Sequence, residues 1–217
     1  MSLPSSPRIQ KRSSIPTPWN NIYLPMCNMK RSGDISMHCL SFHGFLKDDN
    51  RFFKFIVAMN DHILMGDIKS NPNAKVNWSM PNTKEYYNFK GKFYIASAPI
   101  QVTRFPPPKI MDDDCTAQEY WEEQRIQQWQ ELDQKTRAVF TWPSRAEVPK
   151  ANNIAFSCQS LNDDTSIIHD IAMDNFCLLV YKVTDVEYFD YSCYPPKRRF
   201  YTYSLKSNSW DIQTSNP

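Results

Sequence analysis

Short apolar segments typical of strands alternate along the chain with two stretches typical of helices. In segment 74–80, AKVNWSM, Val76, Trp78 and Met80 fall on one side and polar residues on the other, which predicts a half-buried antiparallel strand. Gly91 predicts a bulge within a longer strand. The further predicted strands cover residues 36–46, 52–59, 86–104, 175–184, 186–192 and 198–205, followed by a short apolar segment at Trp210.

Two helices interrupt the strands. Residues 61–70 predict a short helix that ends before Asn71-Pro72. Residues 116–140 predict a long helix, because Thr116 and Glu119 form a capping-box pattern at its start. Pro18 suits the first turn of another short helix within residues 18–29, and residues 143–172 predict a long irregular connection. A mainly β fold with flanking helices follows, in which helices pack outside an antiparallel barrel.

The length and composition predict one globular domain. The chain has 217 residues, of which 41% are hydrophobic, enough for a sizeable core over residues 18–217. Residues 1–17 form a basic, Ser- and Pro-rich tail that we expect to be disordered. A mitochondrial targeting signal is the alternative for this tail, although its prolines oppose the amphipathic helix that such a signal needs. We therefore expect a cytoplasmic protein, with mitochondrial import as the second option.

Charge, glycine and cysteine content exclude several function classes. A formal net charge of +2 is too small to predict nucleic acid as the main partner, and no apolar run is long enough for a membrane helix. With only 4 glycines, the chain has no glycine-rich phosphate loop. The six cysteines form no C-x-x-C pair, which predicts reduced thiols and no zinc or other metal site.

Two of the four histidines, His38 and His43, lie in the strand segment SMHCLSFHGFL. Side chains of a strand alternate between its faces, so an offset of five points the two rings to opposite faces. A metal site needs both rings to converge on one ion, which this pair does not do unaided. The plain interpretation is a pair of partly exposed strand histidines.

Three stretches together resemble one protein family: KSNPNAKVNWSMPNTKEYYNFKGKFYI, QELDQKTRAVFTWPS and VEYFDYSCYPPKRRFYTY. Their order and spacing resemble those of the FMN-binding split-barrel proteins related to pyridoxamine 5'-phosphate oxidase, and HGFL is similar to the end of the family's first cofactor strand. The resemblance covers residues 18–213. It implies a six-stranded antiparallel split barrel that forms a homodimer, with FMN bound at the seam between the subunits.

The resemblance also assigns cofactor-binding positions. Two basic residues five apart fall on His38 and His43, and an Arg-Ser-x-Lys pattern falls on the segment that begins with Asp61 and His62. A Gln and an Arg fall on Tyr86 and Asn88. A Trp and an Arg ten apart fall on Phe189 and Arg199. The expected cofactor-binding set is therefore His38, His43, Asp61, His62, Tyr86, Asn88, Phe189 and Arg199, and no catalytic residue is identified.

The departures from the family pattern weaken the expected phosphate contacts. Two permanent cations are lost and Asp61 is gained, and two like charges 4 Å apart repel by about 4 kcal/mol at an effective dielectric constant of about 20. One hypothesis is a flavoprotein oxidoreductase that acts on a small substrate, with a phosphorylated compound as one option. The alternative is a homologue that has lost FMN and acts as a binding or regulatory protein. A third hypothesis is haem or a deazaflavin in the same cleft.

Overall fold

Eight strands of the computed structural model form one antiparallel sheet. The structure describes residues 22–110, 114–144 and 167–217. The strands are β1 (Tyr23–Met29), β2 (Ile35–Phe45), β3 (Phe52–Ala58), β4 (Asn73–Met80), β5 (Glu85–Ala96), β6 (Phe176–Asp190), β7 (Lys197–Ser204) and β8 (Ser209–Ser215). Their order in the sheet is β3-β2-β1-β4-β5-β6-β7-β8.

A second pairing of β3 closes the first six strands into a barrel. β3 lies at one end of the sheet and also pairs with β6, in a register that runs from Phe52↔Lys182 to Ala58↔Phe176. Closure removes the free edges of these six strands, whereas β7 and β8 continue the sheet beyond the barrel. The predicted six-stranded antiparallel split barrel is confirmed.

The barrel interior is filled by aromatic side chains. Phe42, Phe55 and Phe93 are fully buried there, and edge-to-face contacts such as Phe42–Phe55, with ring centroids 5.9 Å apart, join them. Tyr181 keeps its hydroxyl satisfied by donating to the carbonyl oxygens of Ala74 at 2.8 Å and Phe89 at 3.0 Å. Helix α1 (His62–Ser70) packs its apolar side chains into the same cluster: Leu64, Met65 and Ile68.

A second apolar layer lies between the outer surface of the barrel and three helices. The helices are α2 (Ala117–Gln130), α3 (Gln134–Ala138) and α4 (Ile167–Asn175). Their buried partners on β3 and β6 include Phe52, Phe176 and Val180. Thr116 and Glu119 form the predicted capping box at the start of α2, with Glu119 N donating to Thr116 Oγ1 at 3.2 Å.

Gly91 makes the predicted bulge. The register between β5 and β6 shifts between Lys90 and Gly91. A Cβ atom at Gly91 would lie 2.2 Å from the carbonyl oxygen of Lys182, so only glycine allows the two backbones to approach this closely.

Several predicted boundaries were wrong. Residues 23–29 form β1 and not a helical segment, because their buried side chains alternate along an extended strand. β5 ends at Ala96 and not at 104, and the long helix expected over 116–140 ends at Gln130. β6 is one continuous strand through residue 185, where two were predicted.

The predicted tail 1–17 and the start of the expected domain lie outside the described residues. The connection expected over 143–172 is described only at its ends, where α4 begins at Ile167. Among the described residues, no helix is both long enough and apolar enough to cross a membrane.

Candidate functional site

A large part of the outer surface of the sheet is left uncovered by the helices, and we call it the open face. It consists of the outward side chains of β1, β4, β5, β6 and β7 together with those of the first half of β2. The strand registers arrange these side chains in rows that run across the sheet. One row holds Ser79, Tyr86, Phe189 and Arg198, and the next holds Asn77, Asn88, Glu187 and Phe200.

Polar side chains on the open face form a continuous hydrogen-bonded chain across four strands. Asn77 Nδ2 donates to Asn88 Oδ1 at 3.1 Å, and Asn88 Nδ2 donates to Glu187 Oε2 at 3.0 Å. Arg198 completes the chain with two bonds to Glu187 Oε1, from Nε at 2.9 Å and Nη2 at 2.6 Å. The bond from Asn88 and the pairing with Arg198 hold the pKa of Glu187 below its ordinary value.

Aromatic surface adjoins this polar chain. Phe189 is the register partner of Tyr86 on one side and of Arg198 on the other. The Arg198 guanidinium lies 5.6 Å from the centre of the Phe189 ring, and Tyr191 packs against the same ring with centroids 4.2 Å apart. A planar ligand on this face would meet an aromatic surface, amide groups and a guanidinium within two neighbouring rows.

A groove opens beside these rows where β1 and β4 separate. The register between the two strands runs only from Met26↔Val76 to Asn28↔Ala74. The backbone N–H of Phe42 donates to the carbonyl oxygen of Ile22. Every second residue of β1, counted from Ile22, therefore directs its backbone groups toward β2. The residues between them, including Pro25, direct theirs toward β4. Pro25 has no N–H to donate, which explains why the ladder to β4 ends beside it.

The groove has a volume of about 340 Å³ and is lined by residues of both strands: Ile22, Tyr23, Leu24, Pro25, Asn77, Trp78 and Ser79. By the same alternation, the backbone N–H groups of Asn77 and Ser79 point into it. A larger concavity of about 610 Å³ lies beside α2, but Glu119, Glu122 and Glu123 line it. Those carboxylates disfavour an anionic ligand there, so the groove is the better candidate.

His38 lies on the inner side of β2, at the barrel end that α1 covers, and not on the open face. It lies on the same side of β2 as the core residues Leu40 and Phe42. Its Nε2 lies 2.9 Å from Asp67 Oδ2, and Lys30 Nζ lies 2.9 Å from Asp67 Oδ1.

The carboxylate of Asp67 is the centre of this cluster. Burial alone would raise the pKa of Asp67, but hydrogen bonds from Lys30 and His38 outweigh it, so the pKa lies below its ordinary value. The side chain of Asp67 is only 9% exposed. His38 is therefore paired with a carboxylate of its own chain.

His43 is buried on the other side of β2, where Ser41 Oγ lies 3.1 Å from its Nε2. Burial and the positive charge of Lys54 lower the pKa of His43 to about 4, so the ring is neutral at pH 7. Five residues of strand correspond to about 16 Å, so His38 and His43 cannot contact one phosphate group together.

The two predicted residues at the start of α1 differ in their surroundings. Asp61 is the N-cap residue, and its Oδ1 accepts a hydrogen bond from Leu64 N at 3.2 Å. His62 is exposed at the first helical position. Asp67, whose carboxylate contacts His38, lies six residues after Asp61, which is about 9 Å farther along the axis of α1. The three histidines expected near the phosphate, His38, His43 and His62, thus do not converge within one chain.

The three residues expected near the ring do converge. Tyr86, Asn88 and Phe189 lie together on the open face. Arg199, which was expected near the phosphate, is the register partner of Tyr188 and lies on the opposite face, and it is Arg198 that places a cation beside Phe189. Sequence reasoning also missed Asn77 and Glu187, although the two-residue period of each strand would have placed both on this face.

Among the residues that the structure describes, no group of three or more His, Cys, Asp or Glu side chains could hold a metal ion. The cysteines described, Cys27, Cys39, Cys115, Cys177 and Cys193, are all free thiols.

Comparisons with known proteins give structural relatives but no relative by sequence alone. The chain matches no protein-family model and no curated protein. It is similar to a pyridoxamine 5'-phosphate oxidase-related, FMN-binding protein from Nostoc punctiforme, with 25% identity and a TM-score of 0.70 over 90% of this chain and 88% of that one. The chain has the split-barrel fold of pyridoxamine 5'-phosphate oxidase-related proteins.

A second solved structure shares this split barrel at lower identity. PhzG from Burkholderia lata, in complex with tetrahydrophenazine-1-carboxylic acid, is 12% identical, with a TM-score of 0.59 over 90% of this chain and 82% of that one. This likeness supports the fold alone.

The residues present fit the two ends of FMN unequally. The aromatic and amide groups of the open face suit a planar ring with hydrogen-bonding edges. A phosphate monoester is usually met by free cations and backbone N–H groups. At the positions assigned to the phosphate, His38 is held by Asp67, His43 is neutral and Asp61 is a carboxylate. The ring end fits, whereas the phosphate end does not.

Proposed function

We propose that the chain is a flavin-binding split-barrel protein that holds the isoalloxazine ring on its open face. The observation that carries the proposal is the row formed by Tyr86, Phe189 and Arg198, which adjoins the groove between β1 and β4. FMN is the flavin named for the Nostoc punctiforme relative, which supports this ligand class.

The proposed assembly is a homodimer in which a second copy covers the open face. Large apolar side chains are exposed there to an extent unusual for a monomer: Tyr23 (61%), Met29 (57%), Ile35 (74%) and Met37 (72%). They belong to β1 and β2 on the open face, so a partner seated on them would also shield a ring bound on that face from water. We therefore place the proposed flavin at the seam between two copies.

The proposed reaction class is oxidation or reduction of a small substrate. A bound flavin accepts or gives a hydride, and the protein orients the ring and excludes water. In this proposal, Phe189 and Tyr86 pack against the ring. The amide of Asn88 and the guanidinium of Arg198 contact its polar edge, and the fixed negative charge of Glu187 keeps both donors in place.

A second candidate function is a split barrel that has lost FMN and serves as a binding or regulatory protein. The specific observation that favours it is the pairing of His38 with Asp67, which fills a position expected to meet phosphate. In this alternative the dimer seam is retained, while the groove between β1 and β4 holds no flavin.

The visible spectrum of the purified protein separates the two candidates. We expect absorption bands of bound flavin, or quenching of flavin fluorescence when riboflavin or FMN is added at micromolar concentration. A colourless protein that quenches neither compound would contradict the flavin proposal and favour the second candidate.

Two neighbouring arginines provide a matched pair of variants for the location of the ring. Arg198→Ala removes the guanidinium beside Phe189, so we expect flavin affinity to fall about tenfold, the loss typical of one charged hydrogen bond. Arg199→Ala removes the same charge from the opposite face and should change affinity less than twofold. Equal losses in both variants would show that only net charge matters and that the ring does not lie on the open face.

A further inference from the structure

Two of the positions where family resemblance implies phosphate contacts carry carboxylates of the chain itself, Asp67 beside His38 and Asp61 at the start of α1. We propose that this chain recognises the flavin through its ring alone, so that riboflavin, which has no phosphate, binds at least as tightly as FMN. The proposal rests on the proposed flavin site and narrows its ligand class to an uncharged isoalloxazine.

Asp67 lies beside His38, at a position where the family resemblance implies a phosphate contact. Its two carboxylate oxygens face two different side chains, Lys30 Nζ and His38 Nε2, each at 2.9 Å. A bound phosphate commonly receives bonds of this kind. Because Lys30 and His38 are already paired with a buried carboxylate, an incoming phosphate would have to displace that carboxylate or lie beside it.

Further hydrogen bonds hold Asp67 in this position. Asn28 is 3% exposed, and its Nδ2 donates to the backbone oxygens of Asp67 at 3.0 Å and Asn71 at 2.8 Å. Ser36 Oγ in turn donates to Asn28 Oδ1. This network ties β1, β2 and the end of α1 together and fixes the backbone that carries the Asp67 carboxylate.

The start of α1 offers little to an anion. Of its first four N–H groups, three are taken: His62 N donates to Asn60 O, Leu64 N to Asp61 Oδ1 and Met65 N to Asp61 O. The cap itself is a carboxylate, so its charge opposes a phosphate at the helix end that would otherwise attract one.

The cations of the open face also already face carboxylates of the chain. Arg198 is paired with Glu187 at 2.6 Å, and Lys90 is paired with Asp185 at 3.5 Å. Lys75, which is exposed beside the groove, acts on the same Glu187 carboxylate. A neutral ring can use the donors of such a site, whereas a phosphate dianion would compete with Glu187 and Asp185 for the same cations.

The decisive experiment is a pair of fluorescence-quenching titrations of the full chain, one with riboflavin and one with FMN, in the same buffer. We expect a Kd for FMN equal to or larger than that for riboflavin. FMN binding more than threefold tighter would overturn the inference and leave the proposed function standing. Failure of both compounds to bind at 100 μM would overturn the proposed function itself and the inference with it.

Two variants test the role of Asp67 in this preference. Asp67→Asn removes the competing charge while keeping the size of the side chain, so we expect FMN affinity to rise at least fivefold relative to riboflavin. Asp211→Asn, on the exposed part of β8, makes the same change in net charge and should shift the ratio less than twofold. An equal shift in both variants would refute the role of Asp67, and the wild-type titrations decide the proposal even if one variant fails to fold.

Discussion

Removal of the Asp67 carboxylate should destabilise the barrel, because this buried group joins α1 to β1 and β2. Asp67→Ala removes the carboxylate that lies 2.9 Å from both Lys30 Nζ and His38 Nε2, which leaves the two side chains without their shared partner. Removing one member of a buried ion pair costs about 3 to 5 kcal/mol. Lys30 is 35% exposed and can turn to water, which lowers the cost, whereas His38 is only 18% exposed. We therefore expect a loss of about 3 kcal/mol.

Urea denaturation followed by circular dichroism measures this loss. The pKa of Asp67 is lower in the folded chain than its ordinary value of 3.8, so its stabilising contribution is present above that pH and is lost as the pH falls through the folded pKa. The difference between wild type and Asp67→Ala should therefore shrink below pH 3.8. A difference under 1 kcal/mol at pH 7 would refute the view that this cluster fastens α1 to β1 and β2.

Four other changes have definite expected outcomes. The pKa of His43 is lowered from 6.5 to about 4 in the folded chain, so as the pH falls the unfolded chain protonates this ring before the folded chain does. The free energy of unfolding should therefore fall by about 3 kcal/mol between pH 6.5 and 4. In urea titrations, His43→Gln should flatten the dependence of this free energy on pH over the same range. Gly91→Ala should cost at least about 2 kcal/mol in the same assay, since its Cβ would meet a backbone oxygen at 2.2 Å. Tyr181→Phe should cost about 1 to 2 kcal/mol, because two buried carbonyl groups lose their donor. Thr116→Ala should cost about 1 kcal/mol by removing the α2 cap, and an unchanged midpoint of denaturation would contradict that role.

Most strands of the barrel could be predicted because their side-chain patterns are local. The alternation of Val76, Trp78 and Met80 corresponds directly to the buried side of β4. β1 was missed because Pro18 suggested a helix start and Pro25 a break, whereas in the barrel Pro25 occupies a position where no N–H is needed. The end of β5 depends on where β6 stops pairing with it, at Ala96↔Leu178, and that contact joins residues far apart in the sequence.

The site could be predicted only in part, for the same reason. Tyr86, Asn88 and Phe189 were found through family resemblance, and the register brings them together. Arg198, and not Arg199, lies beside Phe189 because the two are register partners. A shift of one residue along a strand reverses the face of a side chain, so the sequence alone does not decide between the two arginines. The pairing of His38 with Asp67 joins residues 29 positions apart through the docking of α1, and the sequence pattern holds no signal for that contact.

Backbone hydrogen exchange with and without saturating riboflavin tests the location of the proposed site most directly. The N–H groups of Asn77 and Ser79 face the groove, so we predict that bound flavin slows their exchange, together with that of residues 186–190 beneath the ring. Protection confined to the concavity beside α2, or no protection on the open face despite saturation, would contradict the account.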